Sequence, residues 1–309
     1  MTILVSGSSG LIGTALLRDL VAQGHQVVRL VRPGRTPGSP PGTADSVVEW
    51  DPGRDTLDVQ ALEAAGPYEG VVHLAGAGVG DKRWNRARKA EILRSRTAST
   101  ELLVSSLLQL SPPPPVLVSA SAIGYYGNRG AEELTEESSK GTGFLAEVAD
   151  AWERASLPAA EAGIRLVNLR TGLVLAPKGG VLGKQLPLFR LGAGGRLGPG
   201  SQFMSWITLE DEVAVIRRAL DDVRYNGPVN AVAPTPVTNT EFTASLSGVL
   251  KRPSFAHVPA AALRLALGAE MANETALVSQ RVLPTVLAAN GFEFGAITLD
   301  EAWETTLDR

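Results

Sequence analysis

The sequence predicts an α/β fold: a doubly wound parallel sheet followed by a small, mostly helical C-terminal part. Three observations predict it. Short β-branched runs alternate with stretches of helical periodicity as far as Arg170. A cluster of glycines stands directly between the first strand and the first helix. Beyond Arg170 the alternation loosens, and from about Pro259 helical periodicity dominates. A strand–helix–strand rhythm implies right-handed crossovers and a parallel sheet covered on both faces.

Ile3–Ser6 is a short apolar run ending at glycine, hence a buried strand. Leu11–Gln23 follows as a helix with Leu11, Ala15, Leu16 and Leu20 on one face, and it stops at Gly24. Gln26–Val31, Val47–Trp50 and Gly70–Leu74 read as the next strands, with Pro33–Thr43 a Pro- and Gly-rich loop. Asn85–Leu110 is a long helix closed by Pro112–Pro115, because a proline run cannot continue it. Val116–Ser119, a helix over Phe144–Ala162 and the strand Arg165–Leu169 complete the alternation. Later come a glycine-rich loop at Gly192–Gly200 and a helix over Glu210–Val223. A second helix, running to Leu250, is opened by the capping pair Thr238 and Glu241. The expected division is 1–230 and 231–309, packed directly on each other with no flexible linker.

Composition narrows the function classes. Of 309 residues, 44% are hydrophobic and 20% charged, so a core can form and disorder is excluded. A formal net charge of −3 carries no footprint for nucleic acid or an anionic membrane. Cysteine is absent, which removes disulfides, thiol catalysis and cysteine-bound zinc. His25, His73 and His257 lie far apart, so no metal site is expected, and His73, in an apolar strand, reads as a core residue. No leader pattern is visible and no apolar run approaches the ~18–20 residues of a spanning helix, so a cytoplasmic location is expected.

The glycines carry the chemistry. Gly7, Gly10 and Gly13 give GxxGxxG directly after a strand and at the start of a helix. Gly7 permits the turn, Gly10 lets a diphosphate approach the backbone, and Gly13 lets the helix lie close to the strand. Ser9, Leu11 and Ile12 fill out the turn, and the free N–H groups of the helix start face the phosphates. A carboxylate about 20 residues on would bind the ribose hydroxyl of NAD. The second strand instead ends Leu30-Val31-Arg32-Pro33-Gly34-Arg35. Arg32 is the expected partner of a 2′-phosphate, with Arg35 and Arg29 as lesser candidates, so the predicted cofactor is NADP(H).

With these residues the sequence resembles the short-chain dehydrogenase/reductase superfamily in its extended, epimerase-like branch. Further matches are Val71-Val72-His73-Leu74-Ala75-Gly76 and Val118-Ser119-Ala120-Ser121 with Tyr125-Tyr126-Gly127. An atypical subgroup of epimerase family proteins matches more closely still. Its hallmarks are Arg83-Trp84-Asn85, Ser95-Arg96, Arg170-Thr171-Gly172-Leu173-Val174-Leu175, Phe203-Met204-Ser205-Trp206-Ile207 and Gly291-Phe292-Glu293-Phe294. The resemblance implies a Rossmann-like NADP(H) domain with a small helical C-terminal domain. It also implies that Leu74 and Ala75 border the adenosine and ribose, that Glu91 and Arg96 take part in NADP binding, and that Val174 lies near the nicotinamide.

The catalytic centre departs from the superfamily. Its serine corresponds to Ser121, but the Tyr-x-x-x-Lys pair reads Phe144 and Val148. Tyr125 and Tyr126 are the remaining phenols nearby, with Lys140, Arg83 or Lys82 as cations to assist one of them. The segment Gln202–Trp206 has Met204 where sugar-nucleotide enzymes commonly have an arginine, and Phe203, Met204 and Trp206 imply an apolar pocket. Lys178-Gly179-Gly180 and Gly192–Gly200 are candidate loops to close over substrate. The leading expectation is an NADP(H)-dependent oxidoreductase acting on a small molecule, with Ser121 orienting the substrate oxygen and Tyr126, Tyr125 or water handling the proton. The alternatives are a non-catalytic NADP(H) sensor or scaffold, and a nucleotide-sugar epimerase with a rebuilt site.

Overall fold

A computed structural model describes residues 1–34, 46–254 and 256–307. Most of the Pro33–Thr43 loop and Arg35 lie outside the described residues. The chain begins with β1 (Thr2–Ser6), α1 (Leu11–Ala22), β2 (Gln26–Val31), β3 (Ser46–Asp51) and β4 (Thr56–Leu57). A short α2 (Val59–Ala64), capped by Asp58, leads to β5 (Gly70–His73). Next is α3 (Arg86–Leu107), whose cap Asn85 accepts the Arg88 N–H at 2.8 Å. β6 (Val116–Ala122) runs into a 3-10 turn at Ile123–Tyr126 and then β7 (Glu133–Leu134). α4 (Phe144–Glu161), β8 (Arg165–Thr171) and β9 (Leu173–Leu175) follow.

The second half starts with α5 (Gly180–Arg190), β10 (Gly195–Leu197), β11 (Phe203–Met204) and β12 (Trp206–Thr208). α6 (Leu209–Asp221) is capped by Thr208, and β13 (Gly227–Ala231) returns to the sheet. β14 (Val237–Thr238) gives way to α7 (Asn239–Val249) through the Thr238–Glu241 capping box. The end comprises β15 (Ala256–Val258), α8 (Ala260–Leu267), α9 (Ala269–Met271), a π-helical turn at Ala272–Ala276, β16 (Arg281–Val282), α10 (Thr285–Ala289) and α11 (Leu299–Leu307).

The main sheet has the order β13-β8-β6-β5-β1-β2-β3-β4, parallel throughout except for the antiparallel edge pair β3–β4. Alternate residues face opposite sides. Val5, Val72 and Val118 pack with Leu16 and Leu20 of α1 and Ile216 of α6. Leu4, Val71 and Leu117 pack with Leu62 of α2 and Leu103 and Leu107 of α3. A third core joins Leu182, Leu186 and Phe189 of α5 to Trp206, Phe242 and Trp303. Among the described residues no helix is long and apolar enough to cross a membrane.

Two expectations change. Gly192–Gly200 is not wholly a loop, because Gly195–Leu197 pairs in parallel with Ala256–Val258. The Lys178-Gly179-Gly180 stretch opens into α5. Two- and three-residue strands are too short to show a periodicity, so local pattern misses them. Chain order also locates the ligand end of the sheet. From β1 the chain winds outward through β2 and β3, then crosses to β5 on the other side of β1. That reversal leaves a crevice outside the C-terminal ends of β1 and β5, where doubly wound sheets take their ligands.

Candidate functional site

One wall of the crevice is the glycine turn. Gly7 has φ +69°, and a Cβ there would lie 2.6 Å from the carbonyl carbon of Leu74 and 2.8 Å from the Ala75 nitrogen. Leu74 and Ala75 therefore lie directly against the turn, as the first residues beyond β5. A Cβ on Gly13 would meet the Gly7 oxygen at 2.3 Å, so α1 starts as close to the turn as backbone allows. At Gly10 the nearest atom to such a Cβ is the Gly7 oxygen at 3.3 Å, and Ser9 and Gly10 are exposed. Gly10 offers no side chain to cap α1, and no acidic residue stands in its first turn. The N–H groups at Leu11 and Ile12 thus begin a helix left open toward the crevice.

The opposite wall is the loop after β5. Its backbone is held by side chains from behind. Ala77 donates to Ser95 Oγ at 3.0 Å, and its carbonyl accepts from Arg96 at 3.0 Å. Arg88 donates to the Gly78 carbonyl, and Trp84 Nε1 to that of Val79 at 3.0 Å. Arg96 is half-buried against the Trp152 ring at 4.9 Å and lies beside Gly76. Burial, and then the charge of Arg88, draws its pKa down to about 10, so it stays cationic at neutral pH. Val174, in β9, points its carbonyl toward Gly180. A Cβ added at Gly179 or Gly180 would lie 3.5 Å from the Leu11 side chain.

At the rim, Arg32 is exposed just beyond β2. Arg29 is buried within β2 and out of reach of solvent. Glu91 pairs with Arg88 at 2.8 Å and not with Arg96. Its carboxyl is held below the ordinary range, first by the Arg88 hydrogen bond, with lesser help from the charges of Lys82 and Arg32. Arg32, Lys82 and Glu91 are all exposed.

The other expected centre is closed. Ser121 is buried, and its hydroxyl donates to Glu153 Oε1 at 2.7 Å. Arg170 grips the same carboxylate with two bonds, Nε to Oε1 at 2.8 Å and Nη2 to Oε2 at 2.9 Å. Its Nη1 donates to the Tyr126 oxygen at 3.0 Å, and Tyr126 donates to Asn230 Oδ1 at 2.7 Å. Asn230 donates its N–H to Glu136, which also receives Val286 N–H at 3.2 Å. Tyr126 is fully buried, and burial, outweighing the Arg170 charge, pushes its phenol up to about 12. The Ser121 and Tyr126 hydroxyls, expected on the substrate side, are here bonded to Glu153 and Asn230. The physical reason is the buried guanidinium of Arg170, which requires anionic and neutral acceptors around it.

Tyr125 differs. It is half-exposed, and its ring lies flat on Arg170 at 3.6 Å from the guanidinium carbon. The cation beside the tyrosines is thus Arg170, and not Lys140, Arg83 or Lys82. Lys140 is paired with Glu147 at 3.0 Å and Asp150 at 3.1 Å. A signal for Arg170 and Glu153 existed, since a charged residue in a buried strand demands a buried partner. Nothing local says that the partner is on the preceding helix.

Phe144 and Val148 occupy the first two turns of α4. Phe144 stacks edge-on with Trp84 at 5.0 Å beneath Lys89, and Val148 is buried. The α4 start is closed by Glu274, which accepts from Phe144 N at 2.9 Å and Leu145 N at 2.7 Å. Trp206 is fully buried and donates to the Thr235 carbonyl at 3.0 Å, so it is core and not pocket lining. Phe203 remains half-buried under Arg281. His73 is neutral and enclosed, Nδ1 against Ser6 Oγ at 2.6 Å and Nε2 against Thr100 Oγ1 at 3.0 Å. Burial draws its pKa down to about 4.

The sheet order, the glycine turn at its switch point and the helices on both faces define a doubly wound α/β protein of the Rossmann type. Residues 3–231 match the NAD dependent epimerase/dehydratase family, and the chain belongs to it. Residues 258–305 match a second family model, described as Domain of unknown function (DUF1731). The chain is 41% identical over 298 residues to epimerase family protein Mb2239 of Mycobacterium bovis, covering 96% of this chain and 95% of that protein. The crystal structure of human epimerase family protein SDR39U1 (isoform 2) with NADPH superposes with a TM-score of 0.88 at 30% identity, covering all of both chains. A Corynebacterium glutamicum protein described as a nucleoside-diphosphate sugar epimerase superposes at 0.77 and 35% identity, covering 99% of this chain and 58% of that one.

Proposed function

We propose that this chain binds NADP(H) and serves as an oxidoreductase on a small carbonyl- or hydroxyl-bearing substrate. The observation that carries the reading is the open start of α1 at the switch point, with exposed Arg32 and no carboxylate at the end of β2. Gly10 leaves room for a diphosphate, and the Leu11 and Ile12 N–H groups are oriented to receive it. Arg32 suits a 2′-phosphate because a guanidinium can bond it bidentately. The human relative bound to NADPH supports the same assignment. When bound, the cofactor supplies hydride chemistry. Tyr125 is the phenol left for the substrate side, while Ser121, Glu153 and Tyr126 hold Arg170 beneath its ring.

Fluorescence titration should give NADPH an affinity at least about tenfold above NADH, with Arg32→Ala removing most of the difference. Equal affinities in the parent chain would overturn the cofactor assignment. NADPH turnover over a carbonyl library should fall in Tyr125→Phe, and an unchanged rate removes Tyr125 from the reaction.

A second reading is a cofactor-bound sensor or scaffold. It is favoured by Phe144 and Val148 in place of an acid–base pair and by Glu274 closing the start of α4. NADPH and NADP⁺ would then shift oligomeric state or partner binding differently, with no turnover of any substrate. Tight binding of a UDP-sugar would instead favour an epimerase with a rebuilt site, against the expectation from Met204.

A further inference from the structure

The loop after β5 is held by side chains at four successive carbonyls, and three of those side chains come from α3 or the segment leading into it. The fourth does not. Lys184, on α5, crosses to donate from Nζ to the Gly80 carbonyl at 2.9 Å. The same helix begins at Gly179 and Gly180, which lie against Leu11 on the glycine turn. One helix therefore touches both walls of the switch-point crevice, the β1 wall through its first turn and the β5 wall through Lys184.

Its body is fixed. Leu182, Leu186 and Phe189 are buried in the third core with Leu175 and Trp206. The far end of the contact is fixed too, because Arg96, Arg88 and Trp84 pin Ala77, Gly78 and Val79. Between two rigid supports the movable part is the lysine side chain, whose bond to Gly80 is solvent-exposed. A bond of that kind is individually weak and breaks readily.

We infer that Lys184 is a bar across the dinucleotide crevice, closing it by its bond to the Gly80 carbonyl and opening it to let the ligand in or out. The inference rests on the proposed NADP(H) site and adds its gate. A bar acts on passage and not on the bound contacts. It slows entry and exit alike and leaves the equilibrium nearly unchanged. A lysine that grips a phosphate behaves differently, since its loss weakens affinity chiefly through faster dissociation.

The test is stopped-flow association and displacement of NADPH, using its fluorescence, on the full chain and on Lys184→Met. Methionine keeps most of the stem and removes the donor. Both rate constants should rise at least about fivefold while Kd stays within about twofold. Because the chain contains no cysteine, Lys184→Cys can be alkylated with 2-bromoethylamine at that single site. This restores an amine of nearly lysine length and should restore the slow rates. Unchanged rates in Lys184→Met overturn the bar. So does a faster off-rate with weakened Kd, which would make Lys184 a direct phosphate contact. A parent chain that binds no NADPH overturns the functional reading itself, whereas one that binds it with rates indifferent to Lys184 overturns the bar alone.

Discussion

α1 and α4 both start at a glycine, and neither is capped by a side chain of its own N-cap residue. At α4 the gap is filled from a distance, with the Glu274 carboxylate on the Phe144 and Leu145 N–H groups. At α1, among the described residues, no side chain of the N-cap fills it. The same contrast extends outward. Around the start of α1 the backbone N–H groups face a crevice, beside the exposed Ser9. Beyond α4, Ser121, Glu153, Arg170, Tyr126 and Asn230 satisfy one another in the interior. A helix start costs stability while its donors lack partners, so the end left open is the one kept for a ligand.

The largest effect should come from breaking the closed region. Glu153→Ala leaves the buried Arg170 guanidinium without its counter-ion and should cost about 3–5 kcal/mol in a denaturant melt. NADPH affinity of the folded fraction should change little if the two regions are independent. The next variant closes the open end. Gly10 has φ −78° and ψ 176°, a backbone open to aspartate, whose Cβ would press on the Gly7 oxygen at 3.3 Å. Gly10→Asp supplies a carboxylate cap, so it should keep or raise the melting temperature and weaken NADPH binding at least about 100-fold. Undiminished binding would mean that the diphosphate lies elsewhere.

A third test uses pH. Glu212 accepts from Thr171 Oγ1 at 2.7 Å, its other oxygen has no partner among the described residues, and burial, only partly offset by that bond, pushes its pKa from 4.5 up to about 8. The folded state then keeps a proton that the unfolded state releases above about 4.5. Its stabilising contribution is complete below the unfolded value and falls as pH rises toward 8. Unfolding free energy should drop by about 1 kcal/mol between pH 7 and 8. Glu212→Gln should remove that slope, and a parallel slope in the variant would assign it to other groups. His73, neutral in the fold, acts in the opposite direction and lower, with its contribution present above about pH 6.5 and lost as pH falls toward 4. The smallest effect is at the start of α4. Glu274→Ala should cost about 1 kcal/mol by opening it; a larger loss would show that Glu274 also anchors the C-terminal segment.

The regular elements were legible because their signals are local. β2 is Gln26–Val31 as periodicity and β-branching indicate, and the Thr238–Glu241 capping box opens α7 as its spacing predicts. Short paired strands such as β10 with β15 were not, because the pairing partner is some sixty residues away and supplies the only evidence for either. In the site the division follows the same line. Gly7, Gly10 and Gly13 act through the backbone over one turn, and their spacing is the mechanism. Ser121 was read as reactive from its match to the superfamily's serine, and Tyr126 as a phenol a few residues beyond it, yet β6 continues to Ala122 and the Ser121 hydroxyl bonds Glu153 on α4.

By itself, then, the sequence determined the alternation of strands and helices, the glycine turn, and the absence of a carboxylate after β2. Each depends on residues within one turn or one strand of each other, where backbone sterics and periodicity decide. Only the tertiary structure decided that Arg170 lies beneath Tyr125, that Glu153 bonds Arg170 and Ser121, that Glu274 closes the start of α4, and that α5 reaches both walls of the crevice. Those depend on charges that must find partners once buried, and the partners come from elements distant in the chain.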